Sequence, residues 1–136
     1  MNSFDLHPQL AEDTLLVGHI LGCQLLLMND SRYPWLILVP EQNDLRELHE
    51  LPEPEFGQVT QAIRRISASL QGLTKAHKVN IAALGNQVPQ LHIHVIARRH
   101  DDSAWPGPVW GVGAAVPYSD EERKILIETL QEQLLA

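Results

Sequence analysis

Cysteine is nearly absent from this chain of 136 residues: Cys23 is the only one. No internal disulfide can form, and a single thiol within an apolar run reads as a buried, inert group rather than a nucleophile. Long hydrophobic runs are missing as well. No stretch reaches the roughly 18 consecutive apolar residues that a membrane-crossing helix needs, and the amino terminus carries no basic segment followed by an apolar one. We therefore expect a cytoplasmic protein with no membrane partner. Basic residues are scarce, 10 Lys and Arg against 17 Asp and Glu, for a formal charge of −7 and a pI near 5.4. General nucleic-acid binding requires a basic face that displaces counterions from phosphates, so no nucleic-acid partner is expected. A small anionic ligand needs only local donors, such as backbone amides, side-chain amides and an arginine or two, and remains open. Repeats and low-complexity stretches are also lacking. The size and the 44% hydrophobic content suit one domain, residues 1–136, with a core of its own.

The hydrophobic pattern divides the chain into short strands and two substantial helices. Residues 3–13, with Pro8 near the start, read as a short amino-terminal helical turn, and His7 within it as a surface residue. Thr14–Ile20 and Cys23–Met28 are apolar runs joined through Leu21-Gly22, which predicts a hairpin. The polar turn Asn29-Asp30-Ser31-Arg32 leads into a third strand, Tyr33 to Pro40, bounded by prolines. Residues 41–50 form a short helix or turn. Pro52 and Pro54 open the longest helix, in which Val59, Ile63, Ile66, Leu70 and Leu73 make an apolar stripe for packing on a sheet. His77 to Leu84 is a fourth strand with Val79, Ile81 and Ala83 inward and Asn80 facing the other way. Ser119-Asp-Glu-Glu is a capping box that starts a carboxy-terminal helix, with Ile125, Leu126, Leu130 and Leu134 on its apolar side. Strands, helix, strands, helix is the order of an α+β fold, an antiparallel sheet with helices against it.

Chemistry concentrates in Gln90-Leu91-His92-Ile93-His94-Val95-Ile96. Leu91, Ile93, Val95 and Ala97 share one side of a period-two strand, so Gln90, His92, His94 and Arg98 project from the other. The two imidazoles fall roughly 6.5–7 Å apart along the strand. An imidazole titrates near neutrality, so the pair can act as nucleophile, proton carrier or metal ligand. Upstream, Gly85-Asn86-Gln87-Val88-Pro89 offers a glycine turn and side-chain amides that can bind anionic oxygens. Downstream, Arg98-Arg99 adds positive charge. Two histidines at this spacing also arise by chance in a chain with seven, in which case they are merely satisfied polar residues on a strand.

Asn80, Gly85 and then Gln90-x-His92-x-His94 followed by two apolar residues resemble the signature of the histidine triad (HIT) superfamily of nucleotidyl hydrolases and transferases. That pattern is His-x-His-x-His with two apolar residues after it, and here Gln90 replaces the first His. The Gln-first form is similar to a bacterial branch often labelled diadenosine tetraphosphate hydrolase-like. The resemblance implies a HIT-like α+β fold: an antiparallel sheet of about five strands, a long central helix and a carboxy-terminal helix. It implies His92 as nucleophile, with His94 and Gln90 as the other catalytic positions, and a nucleotide as substrate, contacted by Asn29, Asn80, Asn86 and Gln87. Asn29 and Asp30 are ribose candidates by the same resemblance, although Asn-Asp-Ser shapes a turn in most proteins. It implies a homodimer, no metal and no cofactor. Trp35 departs from the pattern, standing where many relatives carry a histidine.

In the chemistry so implied, His92 attacks the α-phosphorus of a dinucleoside polyphosphate or nucleoside phosphoramidate, and water then cleaves the nucleotidyl-imidazole. Such a site must contribute donors for the phosphoryl oxygens, and His94, Gln87 and the turn amides are the candidates. Gln90, an amide, can orient the backbone or the leaving group but cannot serve as a general acid. Two alternatives stand beside this reading. One is a purine nucleotide-binding module without useful catalysis. The other is a metal-dependent hydrolase using His92-x-His94, which would need a third or fourth ligand from His77, His100, Asp101 or Asp102. Gly- and Pro-rich residues 103–111 hold two of the three tryptophans; this loop can cover the core, close over a base or pack against a second subunit.

Overall fold

A computed structural model describes residues 3–135. Its elements are α1 (Pro8–Asp13), β1 (Thr14–Ile20), β2 (Cys23–Met28), β3 (Trp35–Pro40), a 3-10 turn at Leu48–Glu50, α2 (Glu55–Thr74), β4 (Lys78–Ala82), β5 (Ile93–Arg98) and α3 (Asp120–Leu134). The five strands form one antiparallel sheet in the order β1-β2-β3-β5-β4. This is the expected α+β arrangement.

The hairpin falls where Leu21-Gly22 predicted it. Both turn residues adopt positive φ, 48° at Leu21 and 80° at Gly22, the backbone that lets a two-residue turn follow the twist of its strands. The ladder slips once, between Leu16 and Gly18.

Side-chain alternation gives the sheet two unlike faces. On one, Leu25, Leu27, Leu36, Leu38, Leu91, Ile93, Val95 and Ala97 pack with Val59, Ala62, Ile66 and Leu70 of α2 and Leu130 and Leu134 of α3. The other carries Leu26, Trp35, Ile37, Val39 and Ile96, covered by Leu10 of α1, Tyr33 and Val109. His92, His94 and Arg98 share the parity of Ile96 and belong to this second face. Four predicted core positions are corrected. Leu73, Ile81 and Ile125 are 37%, 50% and 57% exposed, and Ala83, just past β4, is exposed too. Leu73, Ile81 and Ala83 continue a real apolar pattern near the ends of their elements, whereas Ile125 lies on the solvent side of α3. Val79 packs against the core as expected, and Ala62 and Ile127 join it. The capping box at Ser119 and Glu122 forms in both directions.

Arg98 ties the far end of the second face together. Its guanidinium is buried and donates to Asp102 Oδ2 at 2.7 Å, to Asn80 Oδ1 at 2.8 Å and to the Gly107 carbonyl at 2.7 Å. That pairing holds the Asp102 carboxyl down at about 2. The positive charge expected beside the signature is thus engaged in structure. Replacing Arg98 with Met leaves Asp102 buried without its counter-ion, and we expect a loss of about 3–5 kcal/mol in denaturant unfolding, with Asp102→Asn costing less in the same measurement.

Candidate active site

His94 on β5 and His92, the residue just before that strand, border a cavity of about 630 Å³, lined also by His7, Leu10, Met28, Trp35, Ile37, Asn86, Gln87 and Trp110 among others. Their ring centroids lie 4.8 Å apart at 71°. Both rings are largely buried, yet each borders this cavity, so neither is simply a packed strand residue.

Hydrogen bonds fix the proton positions on both rings. His92 Nδ1 lies 2.6 Å from the Gln90 carbonyl oxygen. A carbonyl only accepts, so Nδ1 carries the proton and Nε2 keeps its lone pair. His94 is the reverse. The Trp35 indole N–H donates to His94 Nδ1 at 3.0 Å, which leaves the proton of the neutral ring on Nε2. One imidazole therefore presents a nucleophilic nitrogen and the other an N–H donor.

Burial acts in the same direction as these bonds. It pushes the His94 pKa down to about 3, with the neighbouring His92 contributing further. His94 is walled by Trp35 and Trp110, with ring centroids at 5.7 and 5.0 Å, and such a dry setting disfavours the imidazolium. Burial also lowers the His92 pKa, partly opposed by its bond to Gln90 and reinforced by His7.

Of the predicted site residues, the structure brings His92, His94, Asn86 and Gln87 to one cavity. It places four elsewhere. Asn29 Oδ1 accepts from the Tyr118 amide at 2.9 Å, and Asp30 accepts from Arg32 and from the Val116 amide, so this pair shapes the turn. Asn80 braces Arg98; register puts Asn80 opposite Ile96, while Ala82 is the residue opposite His94. Gln90 turns its side chain to the amino-terminal segment. Its Oε1 accepts from the His7 amide at 2.8 Å and its Nε2 donates to the Asp5 carbonyl at 2.9 Å. Gln90 lines a neighbouring cavity of about 430 Å³ with Asn43 and Arg46.

Sequence reasoning missed His7 and undervalued two tryptophans. His7, read as a surface residue, lines both cavities. Trp35, read as the loss of an imidazole, is the donor to His94. The loop 103–111 covers the second face through Val109 and walls the cavity with Trp110. Cys23 is fully buried, and burial pushes its thiol up to about 11, as an inert thiol requires. Among the described residues, no group of three His, Cys, Asp or Glu side chains is arranged to hold a metal ion.

The HIT domain family model matches residues 9–101. A histidine triad protein from Bradyrhizobium japonicum is 43% identical, with a TM-score of 0.94 over 98% of this chain and 99% of that one. One from Sinorhizobium meliloti 1021 is 46% identical, with a TM-score of 0.93 over 96% and 97% of the two chains. A third, from Marinobacter aquaeolei VT8, is 43% identical, with a TM-score of 0.95 over 98% of each. No curated protein matches. The chain belongs to the HIT domain family, and with it to a nucleotide-binding, hydrolase-type class of protein.

The tautomers are open to direct measurement. Long-range 15N–1H spectra should show His92 as the Nδ1–H form and His94 as the Nε2–H form, and Trp35→Phe should release the second assignment while leaving the first. Finding His94 protonated on Nδ1 in the parent protein would remove the indole's assigned role.

Proposed function

We propose that the protein hydrolyses or transfers nucleotidyl groups, cleaving at the α-phosphate of a dinucleoside polyphosphate or nucleoside phosphoramidate through a nucleotidyl-His92 intermediate. The observation that carries this reading is the 2.6 Å contact between His92 Nδ1 and the Gln90 carbonyl, which aims the Nε2 lone pair away from the protein backbone. His92 Nε2 attacks the α-phosphorus as the bond to the leaving group breaks. Water then attacks the same phosphorus and releases a proton to solvent, and the electron pair of the P–N bond returns to His92. His94 Nε2–H and the amides of Asn86 and Gln87 donate to the phosphoryl oxygens as negative charge builds there. Leu10, Met28, Ile37 and Trp110 give the cavity an apolar, aromatic side for the nucleobase. The diadenosine tetraphosphate-like specificity and a cytoplasmic setting belong to this same proposal.

Incubation with diadenosine tetraphosphate and rapid acid-free quenching should trap one nucleotidyl adduct on His92 by mass spectrometry, and His92→Ala should lose adduct and turnover together. The lowered His92 pKa also sets a pH profile. The neutral ring is the nucleophile, so the acid limb of kcat/KM should fall below the ordinary histidine value of about 6.5. Tight nucleotide binding with neither adduct nor product would instead identify a binding module.

We further propose a homodimer. β4 is an outer strand of the sheet, and Ile81 on it and Leu84 just beyond it are 50% and 42% exposed, an apolar edge of the sort that a second copy covers. Sedimentation should give twice the chain mass for the parent protein and the monomer mass for Ile81→Lys; a monomeric parent rejects the proposal.

A further inference from the structure

The amino-terminal segment brings a third imidazole to the site. His7 lies just before the stretch that the HIT model matches, residues 9–101, yet it borders the same cavity as His92 and His94. Gln90 holds it there through the two backbone bonds already described, so the residue standing in place of the first signature histidine is the one that fastens His7. The His7 ring is itself oriented. Its Nδ1 accepts from the Gln9 amide at 3.1 Å as the N-cap of α1, so the neutral ring carries its proton on Nε2.

His7 also lines the second cavity, with Asn43, Arg46 and Gln90. It therefore stands at the divide between an apolar, aromatic chamber and a polar one. A substrate whose nucleoside fills the first and whose leaving group extends into the second passes its scissile bond beside His7.

Resting on the reading of His92 as nucleophile, we propose that His7 Nε2–H donates a hydrogen bond to the oxygen that departs from the α-phosphorus, and that the substrates are phosphoanhydrides rather than phosphoramidates. As the His92 Nε2–P bond forms, the P–O bond breaks and its electron pair stays on the leaving oxygen, held by the His7 N–H. No proton changes hands. An amine leaving group does need one, and each of the three rings already has its Nδ1 engaged in a hydrogen bond. His92 Nδ1–H is bonded to a carbonyl, and the Nδ1 atoms of His7 and His94 accept from Gln9 and Trp35. Placing a second proton on His7 or His94 breaks one of those bonds. The proximity of His7 to His92 is also felt in the titration of His92, which His7 helps to lower.

The test compares leaving groups on the full chain: diadenosine tetraphosphate, the p-nitrophenyl ester of AMP, and an AMP phosphoramidate. The parent protein should cleave the tetraphosphate at least about tenfold faster than the phosphoramidate. His7→Asn keeps an acceptor for the Gln9 amide but cannot reach as far as Nε2. It should lower kcat/KM on the tetraphosphate by about 100-fold, the usual effect of losing one donor to developing charge, and by less than about threefold on the nitrophenyl ester, whose leaving group departs unaided. His7→Gln, which restores an N–H at the position of Nε2, should recover part of the loss. Gln90→Ala should imitate His7→Asn, and the double variant should be no worse than either single one. Equal losses on the tetraphosphate and the nitrophenyl ester, or a phosphoramidate cleaved as fast as the tetraphosphate, overturn the proposal while leaving the His92 reading intact. A parent protein that forms no His92 adduct with any of the three removes both.

Discussion

A carbonyl oxygen cannot donate, and much of the chemistry of this site follows from that asymmetry. The Gln90 carbonyl at His92 Nδ1 decides which nitrogen holds the lone pair, and the backbone that presents this carbonyl is the lead-in to β5. The same residue uses its side-chain amide to secure the segment that carries His7. One position thus governs two imidazoles by separate groups, main chain and side chain. A histidine there would keep the first function, which depends only on the backbone, but its donor and acceptor nitrogens diverge across the ring and do not offer the adjacent pair by which an amide bridges Asp5 and His7.

The sheet makes this economy of position workable. Its helix-covered face is apolar and closely packed, and its other face changes character along β5, from the imidazole pair at the cavity to the Arg98 network at the opposite end. Arg98 is buried with Asp102, Asn80 and the Gly107 carbonyl, and its guanidinium carbon lies 5.6 Å from the Trp105 ring centre. The loop that begins there continues to Val109 and Trp110, which close over the second face. A buried ion pair thereby anchors the loop whose aromatic residue walls the cavity.

Much of this was legible in the residues. The first hairpin is readable to its ends because two apolar runs flank a glycine, and the capping box at Ser119 carries its own start signal. The parity of residues 91–98 assigns both faces of β5 correctly. Periodicity fails where a pattern outlasts its partner: Leu73, Ile81 and Ala83 continue genuine stripes near the ends of their elements, but no sequence rule says where the opposing surface stops, and Ile125 is an apolar residue on the solvent side of α3. Asn29 and Asn80 lie outside the cavity because register and turn geometry decide which polar residue meets which, and neither is encoded locally. His7 was invisible for a related reason. Its place depends on Gln90, 83 residues away in the chain, and on a helix of only six residues. Trp35 shows that a missing imidazole is not a missing hydrogen bond, since its indole N–H donates to His94 Nδ1.

The clamp between Gln90 and the amino-terminal segment also bears on how the protein comes into being. His7 leaves the ribosome before its fastening, the two signature histidines and the Trp110 wall, all of which come later in the chain. The cavity is consequently a product of long-range closure, the kind of contact that forms late because a long loop must first be ordered. A nascent chain can bury its first hairpin well before it acquires anything resembling a reactive centre.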